Sequence, residues 1–414
     1  MIRLGGEKEK KGFLMLSWAT YDLANQFFAL NIVSLYFPRW INIERNQPEI
    51  FYGLAFGVSM FLVAIFAPFL GAISDAKNKR RVFLIFFTLL SIIFTMSLSL
   101  PVSIFLALVF FAIANFGCQV AIIFYNALMI RVTPKGRIGF VSGLGRMFGY
   151  TGAILALYLT KPIILKMGYQ ATFLFTGILF LIFALPCMIF VRERQPEETP
   201  RSPRFPEKER LSQILKGLRT TIFDSEKLKE LKDYLKASFF MLCVVNTIIL
   251  FMAVYAGRVF KLDEVQTINL IAFSTLFAIG SSVFSGFISD LVGYRRSLMG
   301  IFFLWGVCIL TGSLVKPPFH WLVGALAGTS LGATWVVLRA LVIKLVPEER
   351  IGEAFGIFNL VSYLSGVVGP VFWGLILLYL SRLGEWGYRL TFLSLFLFIA
   401  IGFIFLLRTK REAV

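Results

Sequence analysis

Apolar residues in this chain come in runs of roughly 20, separated by short polar stretches. A run of that length crosses the ~30 Å hydrocarbon core of a bilayer as an α-helix. The runs fall at residues 13–37, 50–74, 82–100, 103–130, 139–160, 171–191, 237–257, 265–289, 297–315, 319–345, 353–380 and 387–408. Because hydrocarbon offers no water to backbone groups, each run is predicted to be helical. The pattern predicts an all-α polytopic membrane protein with twelve transmembrane helices.

Composition agrees with this pattern, since 58% of the residues are hydrophobic and only 15% are charged. A soluble protein of 414 residues could not bury so much apolar surface. The first run follows a basic N-terminus, but it exceeds a signal-peptide core and carries Asp22, which predicts a retained helix. The four cysteines lie within runs and have no metal-ligand spacing, and the lone His320 falls in a predicted solvated loop.

The net charge of +18 is distributed unevenly over the loops. The N-terminus, every second loop, the segment 192–236 and the C-terminus hold 30 of the 41 lysines and arginines, and the alternate loops hold nine. By the positive-inside rule, both termini and the segment 192–236 are predicted to be cytoplasmic. The basic excess is a topology signal, helped by anionic membrane lipids as partners, and no nucleic-acid partner is expected.

The sequence also contains an internal repeat. Residues 71–81, GAISDAKNKRR, match residues 286–296, GFISDLVGYRR, at an offset of 215. Residues 126–150 align without gaps to residues 339–363, with nine of 25 positions identical, at an offset of 213. Six helices per repeat is an even number, so the halves are parallel and related by an axis along the membrane normal.

The repeat divides the chain into three predicted parts. Residues 1–191 form an N-terminal six-helix bundle, residues 192–236 a cytoplasmic linker, and residues 237–414 a C-terminal six-helix bundle. In the linker, an apolar stripe of Leu211, Ile214, Leu215, Leu218 and Ile222 among basic residues predicts an amphipathic helix on the cytoplasmic leaflet.

The GxxxDxxxxRR segments at 71–81 and 286–296 resemble the signature of the major facilitator superfamily, and the resemblance extends along the whole chain. Further stretches are similar to its autophagy-related vacuolar effluxer-like branch, which has many bacterial members. They are WATYDLAN at 18–25, FYNAL at 124–128, SGLGRMFGYTG at 142–152, EAFGIFNL at 353–360 and GP at 369–370. The resemblance implies the twelve-helix major facilitator fold, alternating access and, for the vacuolar members, amino-acid efflux.

The two copies of the motif predict a cytoplasmic gate. Gly71 and Gly286 permit close approach of helix backbones. Asp75 and Asp290 are placed to meet the positive N-terminus of helix 11 or helix 5. The arginines that can pair with the aspartates are Arg80, Arg81, Arg295 and Arg296. Such contacts favour the cytoplasm-closed conformation by a few kcal/mol; basic loops explained by topology alone are the alternative.

Polar residues deep within the predicted helices form a candidate substrate site. Ionisable groups there are costly and mark transport pathways. At about 1.5 Å per residue, Asp22 lies near the membrane midplane and Arg146 close to the same depth. The candidate binding or coupling residues are Trp18, Asp22, Asn25, Asn115, Gln119, Asn126, Arg146, Asn246, Arg339 and Asn359. They predict a central cavity lined by helices 1, 4, 5, 7, 10 and 11.

Two interpretations of these residues stay open. In the first, the ammonium group of an amino acid meets Asp22 and its carboxylate meets Arg339 or Arg146. In the second, Asp22 and Arg146 form a fixed internal ion pair, while Asn126 and Asn359 make hydrogen bonds between helices. Asp22 is also a candidate proton carrier, with facilitated diffusion and sodium coupling as the alternatives.

No Gly-rich phosphate loop or HExxH sequence is present, and one histidine cannot supply a catalytic triad, so neither an enzyme nor a cofactor is expected. The leading function is a monomeric secondary active transporter of a small polar solute in the inner or plasma membrane. Within this class, proton-coupled amino-acid efflux is the first candidate. A lipid, amphiphile or drug transporter using the cleft between halves is the alternative. A receptor or scaffold is disfavoured because both gate motifs are retained.

Overall fold

A computed structural model of the chain describes residues 7–47, 49–193 and 226–409, and its regular structure there is entirely helical. The first half contains α1 (Glu7–Phe28), α2 (Glu49–Lys77), α3 (Arg80–Ser97), α4 (Ile104–Val132), α5 (138–167) and α6 (169–190). The last two form one segment, Ile138–Phe190, which is interrupted at Gly168, where φ is 77°. Only glycine adopts such a conformation readily, and the chain turns there.

The second half repeats this order of helices. It contains α7 (Glu226–Val259), α8 (Glu264–Val292), α9 (Tyr294–Leu314), α10 (His320–Leu345), α11 (Ile351–Leu380) and α12 (Glu385–Arg408). A short 3₁₀ turn, Glu348–Arg350, precedes α11. α12 consists of two helical pieces that meet at Leu395. Over the residues that the structure describes, the prediction of an all-α protein with twelve helices in two sets of six is confirmed.

Within the described ranges, eleven helices are long and apolar enough to cross a membrane, and α1 is not among them. Its sequence begins EKEKK and includes Asp22, which lowers its hydropathy. The helical path nevertheless continues beyond Phe28 through a π-helical stretch, Ala29–Leu35, and on to Glu44. The predicted first span, 13–37, is therefore helical throughout.

The chain forms two compact units. Unit 1 takes α1 to α6 together with Val346–Asn359, and unit 2 takes α7 to α10 together with the chain from Leu360 onward. The helix α11 thus begins in unit 1 and ends in unit 2. The predicted linker helix around Leu211–Ile222 lies outside the described residues.

An aromatic cluster packs α1 against α4 and α6 in unit 1. The ring of Trp18 stacks on Tyr125 with centroids 4.5 Å apart, and Tyr21 stacks on the same ring at 4.8 Å. Further along α1, Phe27 stacks on Phe183 at 5.5 Å. This packing fixes the helix that carries Asp22, so that its polar face has a defined position in the bundle.

A stripe of glycines packs α10 against α8 in unit 2. A Cβ atom added to Gly328 would lie 1.9 Å from the carbonyl oxygen of Ser274, and one added to Gly332 would lie 2.3 Å from that of Ala278. The two backbones are therefore in direct contact, as small residues permit in membrane helices. At the start of α10, His320 is buried, and its ring centroid lies 5.7 Å from that of Phe260. The prediction of a solvated histidine was therefore wrong.

Candidate functional site

The first gate motif places Asp75 at the C-terminal end of α2 against the start of α11. Its carboxylate accepts a hydrogen bond from the backbone N–H of Glu353 at 3.0 Å, and a second from Gly352. The Nε of Arg80 donates to the same carboxylate at 2.7 Å. The first turn of a helix presents free N–H groups and a positive dipole end, so the site holds a buried carboxylate.

Glycines bring these two helices together. A Cβ atom added to Gly71 would lie 2.3 Å from the carbonyl oxygen of Gly352, and one added to Gly356 would lie 2.8 Å from that of Ala67. The hydroxyl of Ser74 donates to the Gly71 carbonyl at 2.7 Å. The two backbones therefore approach so closely at Gly71 that no side chain fits there.

The basic residues of the first motif have separate partners. Besides Asp75, Arg80 donates to the carbonyl oxygen of Glu348, and the carboxylate of Glu348 pairs with Arg131 at the end of α4. Arg81 does not bind Asp75; its Nε donates to the carbonyl oxygen of Met188 at 2.8 Å. Arg81 thus holds the C-terminal end of α6, where free carbonyl groups accept cations.

In the second motif, Asp290 accepts a hydrogen bond from the hydroxyl of Tyr294. Tyr294 begins α9, as Arg80, which donates to Asp75, begins α3. Gly286 is buried and its carbonyl accepts from Ser289 at 2.8 Å, matching Gly71 and Ser74. Arg295 donates to Thr409 Oγ1 at 3.0 Å and to the carbonyl of Leu407, at the end of α12.

These contacts show that the arginine pairs do not correspond as the sequence alignment suggests. Two residues, Asn78 and Lys79, separate α2 from α3, but Gly293 alone separates α8 from α9. Both turns contain a positive φ, 47° at Asn78 and 91° at Gly293. The shorter turn shifts α9 by one residue. The counterpart of Arg80 is Tyr294 and that of Arg81 is Arg295. Arg296 corresponds to Val82 and is exposed.

The predicted ionisable pair of the midplane comes together in unit 1. Arg146 Nη1 lies 3.7 Å from Asp22 Oδ1, joining α5 to α1. The side chain of Asp22 is 6% exposed and that of Arg146 is 21% exposed. The guanidinium also lies 5.8 Å from the ring centroid of Tyr150. The carboxylate is enclosed, whereas the arginine keeps one accessible side.

Three of the candidate polar residues bind other residues of unit 1. The indole N–H of Trp18 donates to the carbonyl oxygen of Tyr125 at 3.0 Å. The amide oxygen of Asn25 accepts from the thiol of Cys118 at 2.9 Å. The amide nitrogen of Asn115 donates to the hydroxyl of Ser59 at 2.7 Å, between α4 and α2. These contacts hold α1, α2 and α4 together.

The remaining candidates are divided between the units. Gln119 is half-buried and Asn126 is buried, both on α4 of unit 1. On α7, Asn246 donates to Ser365 Oγ at 3.0 Å, and Arg339 is buried on α10. Asn359 is buried on α11, and its amide nitrogen makes no hydrogen bond within the described part of the chain.

Three residues at this contact are absent from the candidates predicted from the sequence: Glu348, Glu353 and Arg131. Glu353 is buried beside Asp75, and Glu348 joins Arg80 to Arg131. The signal was present, because all three fall within the repeated segments 126–150 and 339–363. Their importance depends on which helix ends meet, and the sequence does not supply those contacts.

Comparisons with known proteins agree with this architecture. The model of the Major Facilitator Superfamily matches residues 23–287 and 237–414. A protein of Aquifex aeolicus (strain VF5) is 28% identical and covers 97% of this chain and 98% of its own length. The crystal structure of the human organic anion transporter MFSD10 (TETRAN) superposes with a TM-score of 0.75 at 15% identity, covering 97% of this chain and 100% of that chain.

Two further relatives have names that bear on function. The multi-drug resistance efflux pump PmrA of Streptococcus pneumoniae serotype 4 is 26% identical and covers 88% of this chain and 87% of its own length. Autophagy-related protein 22 of Kluyveromyces lactis is 24% identical, over 66% of this chain and 59% of that protein. The similarity to the autophagy-related branch is thus weak. At the level that the matches support, the chain belongs to the Major Facilitator Superfamily and is a multi-pass membrane transporter rather than an enzyme.

Proposed function

We propose that this transporter exports a small zwitterionic solute, with amino acids as the first substrate class, by proton-coupled alternating access. The observation that carries the proposal is the 3.7 Å separation of Arg146 and Asp22. Charge-assisted hydrogen bonds between such groups are normally about 2.7–2.9 Å long. The two charges are therefore paired without a short hydrogen bond between these atoms, and the side chain of Arg146 is more exposed than that of Asp22. In the proposal, a charge of the substrate enters this pair.

A zwitterion suits such a site because it carries one charge for the carboxylate of Asp22 and an opposite charge for an arginine. Its ammonium group would take the place of Arg146 beside Asp22, and its carboxylate would bind an arginine through two parallel hydrogen bonds. Arg339 is the proposed partner of the carboxylate, since it is a buried cation on a transmembrane helix. The buried amide nitrogen of Asn359 is a further donor for that group.

Proton coupling follows from the same carboxylate. When Asp22 gains a proton, it loses its attraction both for Arg146 and for a substrate ammonium group. Protonation on one side of the membrane and release on the other would then link the two fluxes. Facilitated diffusion and sodium coupling are the competing outcomes.

Export of drugs or other amphiphiles is the second candidate. The similarity to a relative named as a multi-drug efflux pump, over 88% of this chain, favours it. Apolar substrates bind mainly through contact area, whereas an amino acid depends on charged groups. The two candidates therefore differ in how much they need Arg339.

In this proposal the protein is a monomer in the inner or plasma membrane, with both termini cytoplasmic. The loop charges, 30 on one side against nine on the other, support that orientation.

The contact of Asp75 with the start of α11 is proposed as the closed form of a cytoplasmic gate. Opening the gate requires the carboxylate to leave the N–H groups of Gly352 and Glu353.

A thermal-shift screen of purified protein with amino acids, lysophospholipids and cationic drugs tests the substrate class. We expect stabilisation by an amino acid, abolished in Arg339→Gln and retained in Arg137→Gln, which neutralises an exposed loop arginine. Stabilisation only by cationic drugs, equal in both variants, would favour the second candidate.

In proteoliposomes, substrate-driven proton flux should be absent in Asp22→Asn. Proton flux that persists in this variant rules out Asp22 as the proton carrier.

A further inference from the structure

An apolar groove of about 680 Å³ runs along the surface of unit 2 between α8, α9 and α10. Its walls include Phe277, Phe284, Ile288 and Leu304, and Arg296 lies in the wall where α9 begins. From Leu276 to Val292, the part of α8 that borders the groove extends about 24 Å at 1.5 Å per residue. The groove is therefore long, apolar and charged near one end.

Small residues on the three helices make the groove. Gly280 and Ser281 on α8, Gly300 on α9 and Thr329 on α10 all line it. A Cβ atom added to Gly280 or Gly300 would meet nothing within 4 Å. The helices therefore enclose free space at these glycines, in contrast to the backbone contact at Gly328.

The repeat provides an internal comparison, because unit 1 fills the corresponding positions. At the offset of 215, Ser281 corresponds to Phe66, and at the offset of 213, Thr329 corresponds to Phe116. These two rings meet edge to face with centroids 6.3 Å apart. In the register set by the helix starts, Gly300 corresponds to Phe86. Unit 2 thus has small residues where unit 1 has phenylalanines.

The charge at the end of the groove is also particular to unit 2. Arg295 already performs the task of Arg81 by holding the end of α12, and Arg296 corresponds to Val82. Within the described residues, Arg296 makes no hydrogen bond or ion pair with another side chain or carbonyl. An exposed arginine that the fold does not use is available to a ligand.

We propose that the groove binds one phospholipid with an anionic head group, which pairs with Arg296 while an acyl chain lies along α8. Charge complementarity selects this occupant, because a basic residue close to the membrane surface attracts an anionic lipid by about 1 kcal/mol. The acyl chain gains packing contacts with Phe277 and Phe284, since lipid tails associate with such walls through van der Waals contact. The site is independent of the proposed substrate.

Native mass spectrometry of the purified protein with acyl-matched phosphatidylglycerol and phosphatidylcholine tests the proposal. The wild type should retain one phosphatidylglycerol in preference to phosphatidylcholine. Gly300→Phe, which copies unit 1, should lose that adduct. Gly374→Phe is the matched control, because Gly374 is also exposed on a helix and a Cβ atom there meets nothing within 4 Å.

The arginine is tested separately. Arg296→Gln should still bind lipid but lose about fivefold in preference for phosphatidylglycerol, whereas Arg137→Gln should not change it. Ser281→Phe is a second filling variant in case Gly300→Phe does not fold. Equal binding of both lipids by the wild type, or an adduct that survives both filling variants, would overturn the proposal. So would binding of a cationic drug or a second protein copy at the groove in place of the lipid.

Discussion

The carboxylate of Asp75 and the backbone N–H of Glu353 are joined by a 3.0 Å hydrogen bond that connects the end of α2 to the first turn of α11. Arg80 binds the same carboxylate from the side, and the side chains of Arg80 and Asp75 are only 3% and 5% exposed. The matching aspartate of the second motif, Asp290, binds the hydroxyl of Tyr294. The two copies of the gate motif therefore place different donors, a guanidinium and a phenol hydroxyl, beside their aspartates.

Reversing the charge at Asp75 should open the proposed gate. In Asp75→Lys, an ammonium group would face Arg80 and the positive end of α11, so the contact becomes repulsive. Spin labels at Lys135 and Arg408, which are exposed and belong to different units, report the distance between the units. We expect the distance distribution to shift relative to the wild type.

Asp75→Asn controls for size in this experiment. It keeps the shape of the side chain and one acceptor oxygen but loses the charge, so we expect a smaller shift in the same direction. Distributions that are identical in the wild type and Asp75→Lys would exclude Asp75 as a gate residue.

Gly71→Ala should destabilise the contact between α2 and α11. The added methyl group would lie 2.3 Å from the Gly352 carbonyl oxygen, which forces the helices apart at a cost of about 1–3 kcal/mol. Gly57→Ala is the matched control on the same helix, because a Cβ atom there meets nothing within 4 Å. The control should gain stability by about 0.5–1 kcal/mol from helix propensity.

Reversible unfolding in mixed detergent micelles measures the free energy of unfolding of each variant. Relative to the wild type, we expect it to fall in Gly71→Ala and to rise in Gly57→Ala. An unfolding free energy that rises equally in both would mean that Gly71 has no close neighbour in the folded protein.

Most of the fold could be predicted from the sequence because membrane helices have a simple signal, the length of an apolar run. The repeat of six helices followed from the matched segments. The residue-by-residue correspondence of the two halves did not follow from the matched segments. A one-residue difference in the turn before Tyr294 moves every later residue of α9. That shift separates the role of Arg296 from that of Arg81, and only the helix boundaries reveal it.

The candidate site could be predicted only in part. The equal depths of Asp22 and Arg146 followed from counting residues, and the two side chains do meet. A helix face does not identify the partner on the neighbouring helix. Asn115 shares a face with Gln119, but it bonds to Ser59 on α2. Its counterpart at the offset of 213 is Gly328, which touches Ser274, the counterpart of Ser59. The position therefore belongs to a helix contact in both repeats.

The proposed orientation predicts which loops react from outside the cell. Lys135 lies in the loop between α4 and α5, and Lys316 lies between α9 and α10; both are exposed. With the termini in the cytoplasm, an impermeant maleimide added to intact cells should label Lys316→Cys and leave Lys135→Cys unlabelled. The four native cysteines are buried and give little background. Labelling of Lys135→Cys alone would reverse the orientation.

A double-mutant cycle separates the two interpretations of Asp22 and Arg146. Removing one partner leaves the other charge buried, so Asp22→Asn or Arg146→Gln alone should cost about 3 kcal/mol of stability. If the pair only joins α1 to α5, the double variant should recover stability and transport together. If the residues bind the substrate and the proton, stability should recover while transport stays lost, because neither charge remains for the zwitterion. Unfolding measurements and substrate uptake on the same four proteins therefore decide between an internal ion pair and a transport site.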